Sequence, residues 1–202
     1  MIKLALDLAT VTGWCYGAGG EPPALGTVTM PSTGEEIGPF LDHFFRWLHA
    51  KITEVQVEYE LETIPGPFGA RCKDPKALVA CIEAPILLRD KWDPIKKKMV
   101  AQTNIVTTRK LQGLAGVAEM VFLQRAVPCS EVNVASVKKV MGSGGNTKPD
   151  MMAAAKRAGL NPKDHNAADA FGVWVLMLFH YDKNHFMTWD QRIRVHDEGQ
   201  MI

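Results

Sequence analysis

Three carboxylates stand where a carboxylate is costly, each at the edge of an apolar element. Asp7 falls at the end of the apolar run Ile2 to Leu8. Glu83 closes the run ALVACIE, and Asp169 sits in the first turns of the apolar stretch Ala167 to Tyr181. A buried carboxylate is unfavourable unless it is paired or holds a cation. Three of them converging in one fold supply the hard oxygen ligands that a pair of divalent ions needs, with room for waters and a phosphate. Each has a plainer reading taken singly: Asp7 as a turn cap, Glu83 as a strand-end surface charge, Asp169 as the partner of a lysine. The combination is what favours chemistry.

The elements that would position these acids follow an α/β order. Ile2 to Leu8, Thr12 to Ala18 and Gly26 to Met30 read as three strands of an antiparallel meander, the last two separated by a Gly/Pro-rich turn. Ser32 or Thr33 is the expected cap of a helix whose apolar positions Ile37, Phe40, Leu41, Phe44, Phe45, Leu48 and Ile52 recur at helical spacing. Pro65, Gly66, Pro67 and Gly69 argue for a loop or insertion at about 58–76. Ala77 to Glu83 reads as a fully buried strand, and Asp90 to Lys98 as a polar, basic, mobile stretch. Leu111 to Arg125 reads as a helix whose small residues Gly113, Ala115, Gly116 and Ala118 would admit a second helix closely. A strand at Cys129 to Val134, a short helix at Val137 to Met141, the loop GSGGNTKP, and helices at Asp150 to Ala158 and Ala167 to Tyr181 follow. A polar tail is expected at about 182–202. The whole reads as one α/β domain over 1–202 with a mixed sheet.

Composition bounds the partners. The chain has 202 residues, 47% of them hydrophobic, and a formal charge of +1, so a surface for nucleic acid must be local. From Ser136 to Lys163 there are six basic side chains (Lys138, Lys139, Lys148, Lys156, Arg157, Lys163) against Asp150 alone. A second basic run contains Arg89, Lys91, Lys96, Lys97 and Lys98. Either run taken alone is as readily a solvated face. Cys15, Cys72, Cys81 and Cys129 form no CxxC or CxxH pair, which argues against zinc and disulfides and for reduced thiols. The N-terminus lacks the features of a signal peptide, and no apolar run reaches the ~20 residues of a membrane span. A cytoplasmic protein is expected.

ALDLATVTGW, ACIEAP and HNAADAFGVW together resemble the RuvC-type Holliday-junction resolvases, in the manner of a divergent bacterial or phage-borne member. The resemblance covers most of the chain and is weakest from Glu54 to Lys76 and after Tyr181. It implies a ribonuclease H-like fold, with a central five-stranded mixed sheet, its first three strands antiparallel, flanked by helices. It also implies two Mg²⁺ or Mn²⁺ ions at Asp7, Glu83, position 166 and Asp169. They would serve a crossover junction endodeoxyribonuclease that hydrolyses phosphodiesters in paired fashion, leaving 5′-phosphate and 3′-hydroxyl ends. Leu111 to Val117 looks like the family's dimer helix, and Asn133 to Lys139 like its strand-to-helix step. Gly144 to Pro149 looks like the loop that carries a basic residue near the scissile phosphate, here Lys148. The partners so implied are a four-way junction, met by Lys138, Lys139, Lys148, Lys96, Lys97 and Lys98, and a second copy of the chain.

The third acid of the pattern is missing: Asn166 stands in its place. Asn166 and His165 lie three and four residues before Asp169, so both share its helical face, whereas Asp164 is better placed as the N-cap. We therefore expect Asn166 as a weak metal ligand with His165 nearby. The imidazole nitrogen would favour Mn²⁺ over Mg²⁺. Two rival readings compete. A neutral residue at 166 suits a junction-binding protein that no longer cuts, although three retained acids facing DNA would then serve nothing. The turn Asp7 to Gly13 resembles the phosphate turn of the actin-like and sugar kinases, but Ala9 replaces its glycine and the chain has no room for their second domain. A P-loop is excluded, because Thr147 replaces its last glycine and Pro149 follows Lys148.

Overall fold

The computed structural model describes residues 1–83, 105–142 and 147–194, together with the backbone of 91–93 and 98–100. The strands are β1 (Ile2–Asp7), β2 (Val11–Gly17), β3 (Ala24–Thr29), β4 (Thr63–Ile64), β5 (Arg71–Cys72), β6 (Leu78–Glu83), β7 (Lys91–Asp93), β8 (Lys98–Val100) and β9 (Cys129–Val132). The helices are α1 (Gly38–Glu58), α2 (Ile105–Gln124), α3 (Val134–Val140), α4 (Lys148–Arg157), α5 (His165–Tyr181) and α6 (Lys183–Arg194).

Five strands form the central sheet in the order β3-β2-β1-β6-β9. The first three pair antiparallel, and β1, β6 and β9 run parallel, so the expected mixed sheet is present. Side chains alternate along each strand. Leu4 and Leu6 of β1 and Ala80 and Ile82 of β6 enter a core with α1 and α2, built on Phe40, Phe44, Leu114 and Phe122. Ala5, Val79 and Cys81 enter the opposite core with α5, built on Phe171, Trp174 and Met151. Asp7 continues the row of Ala5, and Glu83 continues the row of Val79 and Cys81. Both acids therefore point to the α5 side. Strand register pairs Leu6 with Ile82, which sets the two acids side by side at the carboxyl ends of neighbouring parallel strands, where α/β sheets commonly bind ligands.

Several elements depart from the sequence reading. Helix α1 starts after Ile37 with Pro39 in its first turn, not at Ser32 or Thr33; Thr33 instead bonds to Glu36 and to Lys110. The stretch 58–76 contains the end of α1 and the short ribbon β4–β5, with Pro65 to Ala70 as its turn. The buried guanidinium of Arg125 pins this ribbon, donating to Ala70 O, His49 O, Thr53 Oγ1 and Gln56 Oε1. The basic run after Arg89 includes β7 and leads into β8, and the two strands pair antiparallel. The expected tail begins with α6, whose Trp189 and Ile193 are buried against the α5 core, while Trp189 Nε1 donates to Gly19 O. Among the described residues no helix is long and apolar enough to cross a membrane.

Candidate active site

Asp7, Glu83, Asn166 and Asp169 line one cavity of about 280 Å³, together with Ala9, Val134, Val137, Lys138, Thr147, Lys148 and Met151. Strands β1 and β6 deliver two acids from the sheet. Helix α5 delivers Asn166 from its first turn and Asp169 from its second. Asp164 caps that helix, accepting from Ala167 N (3.1 Å), and also accepts from Thr27 Oγ1 (3.2 Å), which ties the helix start to β3. The expectation of Asp164 as N-cap agrees with this geometry.

A residue to which the sequence reading gave no role at this site makes this convergence possible. Gly13 on β2 is the register partner of Asp7. A Cβ at Gly13 would lie 1.9 Å from the carbonyl oxygen of Asn166 and 2.5 Å from its carbonyl carbon. The α5 backbone thus lies directly on β2 beside Asp7, at a distance only glycine permits. The available signal was a glycine inside a strand, a mark of close backbone approach.

The electrostatics are those of crowded acids. Burial pushes the Asp7 carboxyl well above the usual carboxylate range, and the charges of Glu83 and Asp169 push it further. Burial and the charge of Asp169 push Glu83 up to about 7, against the pull of Lys138. Burial also raises Asp169, opposed by His165, Lys148 and Lys138. Each carboxylate therefore destabilises its neighbours' charge, and an added cation would relieve all three. Among the described residues no three His, Cys, Asp or Glu side chains form a ready-made metal cage. The lining is nonetheless rich in hard donors: three carboxylates, with Asn166 beside them, around space for several waters. That set fits a magnesium-like ion, which keeps much of its hydration and is held by one or two carboxylates plus substrate phosphate.

Lys148 sits on a different element from the one expected. Lys148, expected in a loop, is the first residue of α4. Thr147 fixes that helix start by donating its backbone N–H (2.9 Å) and its hydroxyl (2.6 Å) to Asp150. His165, expected near the metal ligands, heads α5 one residue before Asn166, and its Nε2 lies 2.8 Å from Lys148 Nζ. Lys138 lines the cavity from α3, which Asn133 caps by accepting from Ser136 N (2.8 Å); Lys139 beside it is exposed. Lys96 and Lys97, and the side chain of Lys98, lie outside the described residues.

No family model matches the chain, and no curated protein matches it in sequence. Solved structures match it in fold. One is T. thermophilus RuvC in complex with a Holliday junction substrate, at a TM-score of 0.58 and 15% identity, covering 92% of this chain and 97% of that one. Another is a Thermus thermophilus RuvC structure, at a TM-score of 0.55 and 16% identity, covering 92% of this chain and 98% of that one.

Proposed function

From the RuvC-like, ribonuclease H-type resolvase fold that this chain carries, we propose a metal-dependent endonuclease that cuts Holliday junctions or related branched DNA by phosphodiester hydrolysis. The observation that supports it most is the convergence of Asp7, Glu83 and Asp169, from two strands and a helix, on one cavity bordered by Lys138 and Lys148. Asp7, Glu83 and Asp169, with the Asn166 amide, would hold two divalent ions, and such ions when bound supply an activated water and stabilise the leaving oxygen.

The chain's own residues supply the rest. Lys148 places a positive charge at the cavity edge, where it offsets charge developing on the attacked phosphate. Lys138 at the cavity and Lys139 outside it meet backbone phosphates, and such contacts carry most of the affinity in a shape-directed complex. The apolar wall of Val134, Val137 and Met151 limits water around the acids, which strengthens every charge interaction inside. A four-way junction presents two symmetry-related strands, so a two-fold homodimer suits it.

One observation favours a second reading, a junction-binding protein that does not cut: Asn166 brings no charge to the cavity. Labelled four-way junctions, three-way forks and flaps, incubated with Mg²⁺, Mn²⁺ or chelator, decide between them. We expect metal-dependent cutting by the wild type. Asp7→Asn and Glu83→Gln should lose cutting by about a hundredfold or more while binding junctions as tightly or tighter. Near wild-type cutting by either variant sinks the active-site assignment, and binding without cutting in either metal leaves the second reading.

A further inference from the structure

We propose that His165 is a positioning residue that acts through Lys148, accepting a hydrogen bond from its ammonium group and so holding that charge at the edge of the acidic cavity. The inference rests on the endonuclease reading of that cavity, and it gives His165 a role other than metal ligation.

The contact is 2.8 Å between Lys148 Nζ and His165 Nε2. A lysine ammonium has three donors and no acceptor, so Nε2 must accept and the ring proton must sit on Nδ1. The two residues are 17 apart in sequence and come from different helices, each at its first residue. Both helix starts are fixed independently: α4 by the Thr147–Asp150 pair, and α5 by Asp164 and its contact with Thr27. The backbones that carry the pair are therefore held by contacts other than the pair itself.

Lys148 is solvent-exposed, and an untethered lysine spreads its charge over many rotamers. Lys148 also borders the cavity that holds Asp7 and Asp169. Without an acceptor fixed beside it, the ammonium would collapse onto a carboxylate or swing into solvent. His165 supplies an imidazole nitrogen 2.8 Å away, close enough to hold the ammonium in place. Lys148 then stays available for the negative charge that builds on a phosphate, which is the purpose of a pre-organised cation.

A double-mutant cycle tests this. Single-turnover cutting of a four-way junction is measured at saturating enzyme for Lys148→Ala, His165→Ala, the double variant and His165→Gln, with Asp7→Asn as control. Junction affinity and calorimetric Mn²⁺ binding are measured on the same proteins. We expect Lys148→Ala to cut about a hundredfold more slowly. His165→Ala should be about five- to tenfold slower, the worth of one hydrogen bond, with junction and Mn²⁺ affinities unchanged. The double variant should be no slower than Lys148→Ala, and His165→Gln, which keeps an acceptor, should recover most of the rate.

Losses that multiply in the double variant overturn the proposal, since His165 would then act independently of Lys148. Weakened Mn²⁺ binding in His165→Ala overturns it too, and returns the imidazole to the metal. So does an unchanged rate in His165→Ala. Cutting by Asp7→Asn at the wild-type rate is a different failure, that of the active-site reading itself.

Discussion

At the scale of single residues, the cavity is defined by charges that repel one another, and two consequences are measurable. Glu83 is pushed from its ordinary 4.5 to about 7 by burial and by Asp169. A carboxyl raised in the folded state binds more protons there than in the unfolded chain between those two values, so the ion-free protein should lose stability as pH rises from about 4.5 to about 7. A bound divalent ion must displace that proton, and its stabilising effect should be larger above pH 7 than below. The melting temperature should accordingly rise more on adding Mg²⁺ at pH 8 than at pH 6, and Glu83→Gln should abolish most of the difference. Equal Mg²⁺ increments at both pH values in the wild type would remove Glu83 from the metal site. Asn166 gives the second consequence. It offers oxygen without charge, so Asn166→Asp should keep or raise single-turnover cutting in Mg²⁺, and Asn166→Ala should lose it by about tenfold or more. If both variants match the wild type, the amide is a bystander.

At the scale of elements, the site depends on how closely α5 lies on the sheet. Gly13→Ala would put a methyl group 1.9 Å from the Asn166 carbonyl oxygen. Backbone faces backbone there, so neither side can yield by a rotamer change. Overpacking of this kind costs about 1–3 kcal/mol or more, and in a chain this long about 2–4 °C of melting temperature per kcal/mol. We expect a lower melting temperature and a much larger loss of cutting, because the displaced segment carries Asn166 and Asp169. A variant that melts and cuts like the wild type would show that the contact is not real. The same segment marks what the sequence could reveal. Asp7, Glu83 and Asp169 were legible because each closes or opens an apolar run, and strand alternation then fixes which face the strand acids share. Asp164 was legible as a cap because Pro162 and Lys163 precede it and an apolar helix follows. Helix α6 was overlooked because its buried positions Trp189 and Ile193 are diluted in a polar stretch, although their spacing of four is helical. The Lys148–His165 contact had no local signal at all, since two helix starts 17 residues apart are brought together only by the packing of α4 and α5 on each other.

At the scale of the whole molecule, the proposed cutting of a four-way junction asks how one cavity would serve two strands. The small-residue stretch of α2 was expected to admit a second helix, and it does so in part within the chain. Gly113 packs against Leu41 of α1, where a Cβ would lie 2.9 Å from Leu41, and Ala118 is fully buried. Gly116 alone among these four residues is exposed, and nothing lies within 4 Å of a Cβ built on it. Met120 and Leu123 follow it at helical spacing and are 42% and 78% exposed. Large apolar side chains this open on one helix face, beside an open glycine, suit the same face of a second copy across a two-fold axis. Light scattering at micromolar concentration should find a dimer, and Gly116→Trp should shift it toward monomer. Dimerisation would also couple the two cuts. On a four-way junction held in a supercoiled plasmid, the wild type should release linear product from paired incisions within one binding event. Gly116→Trp, with an intact cavity, should accumulate the singly nicked circle instead. A wild-type protein that scatters as a monomer both with and without junction DNA would rule out the two-fold assembly, and paired incision would then need two independent encounters.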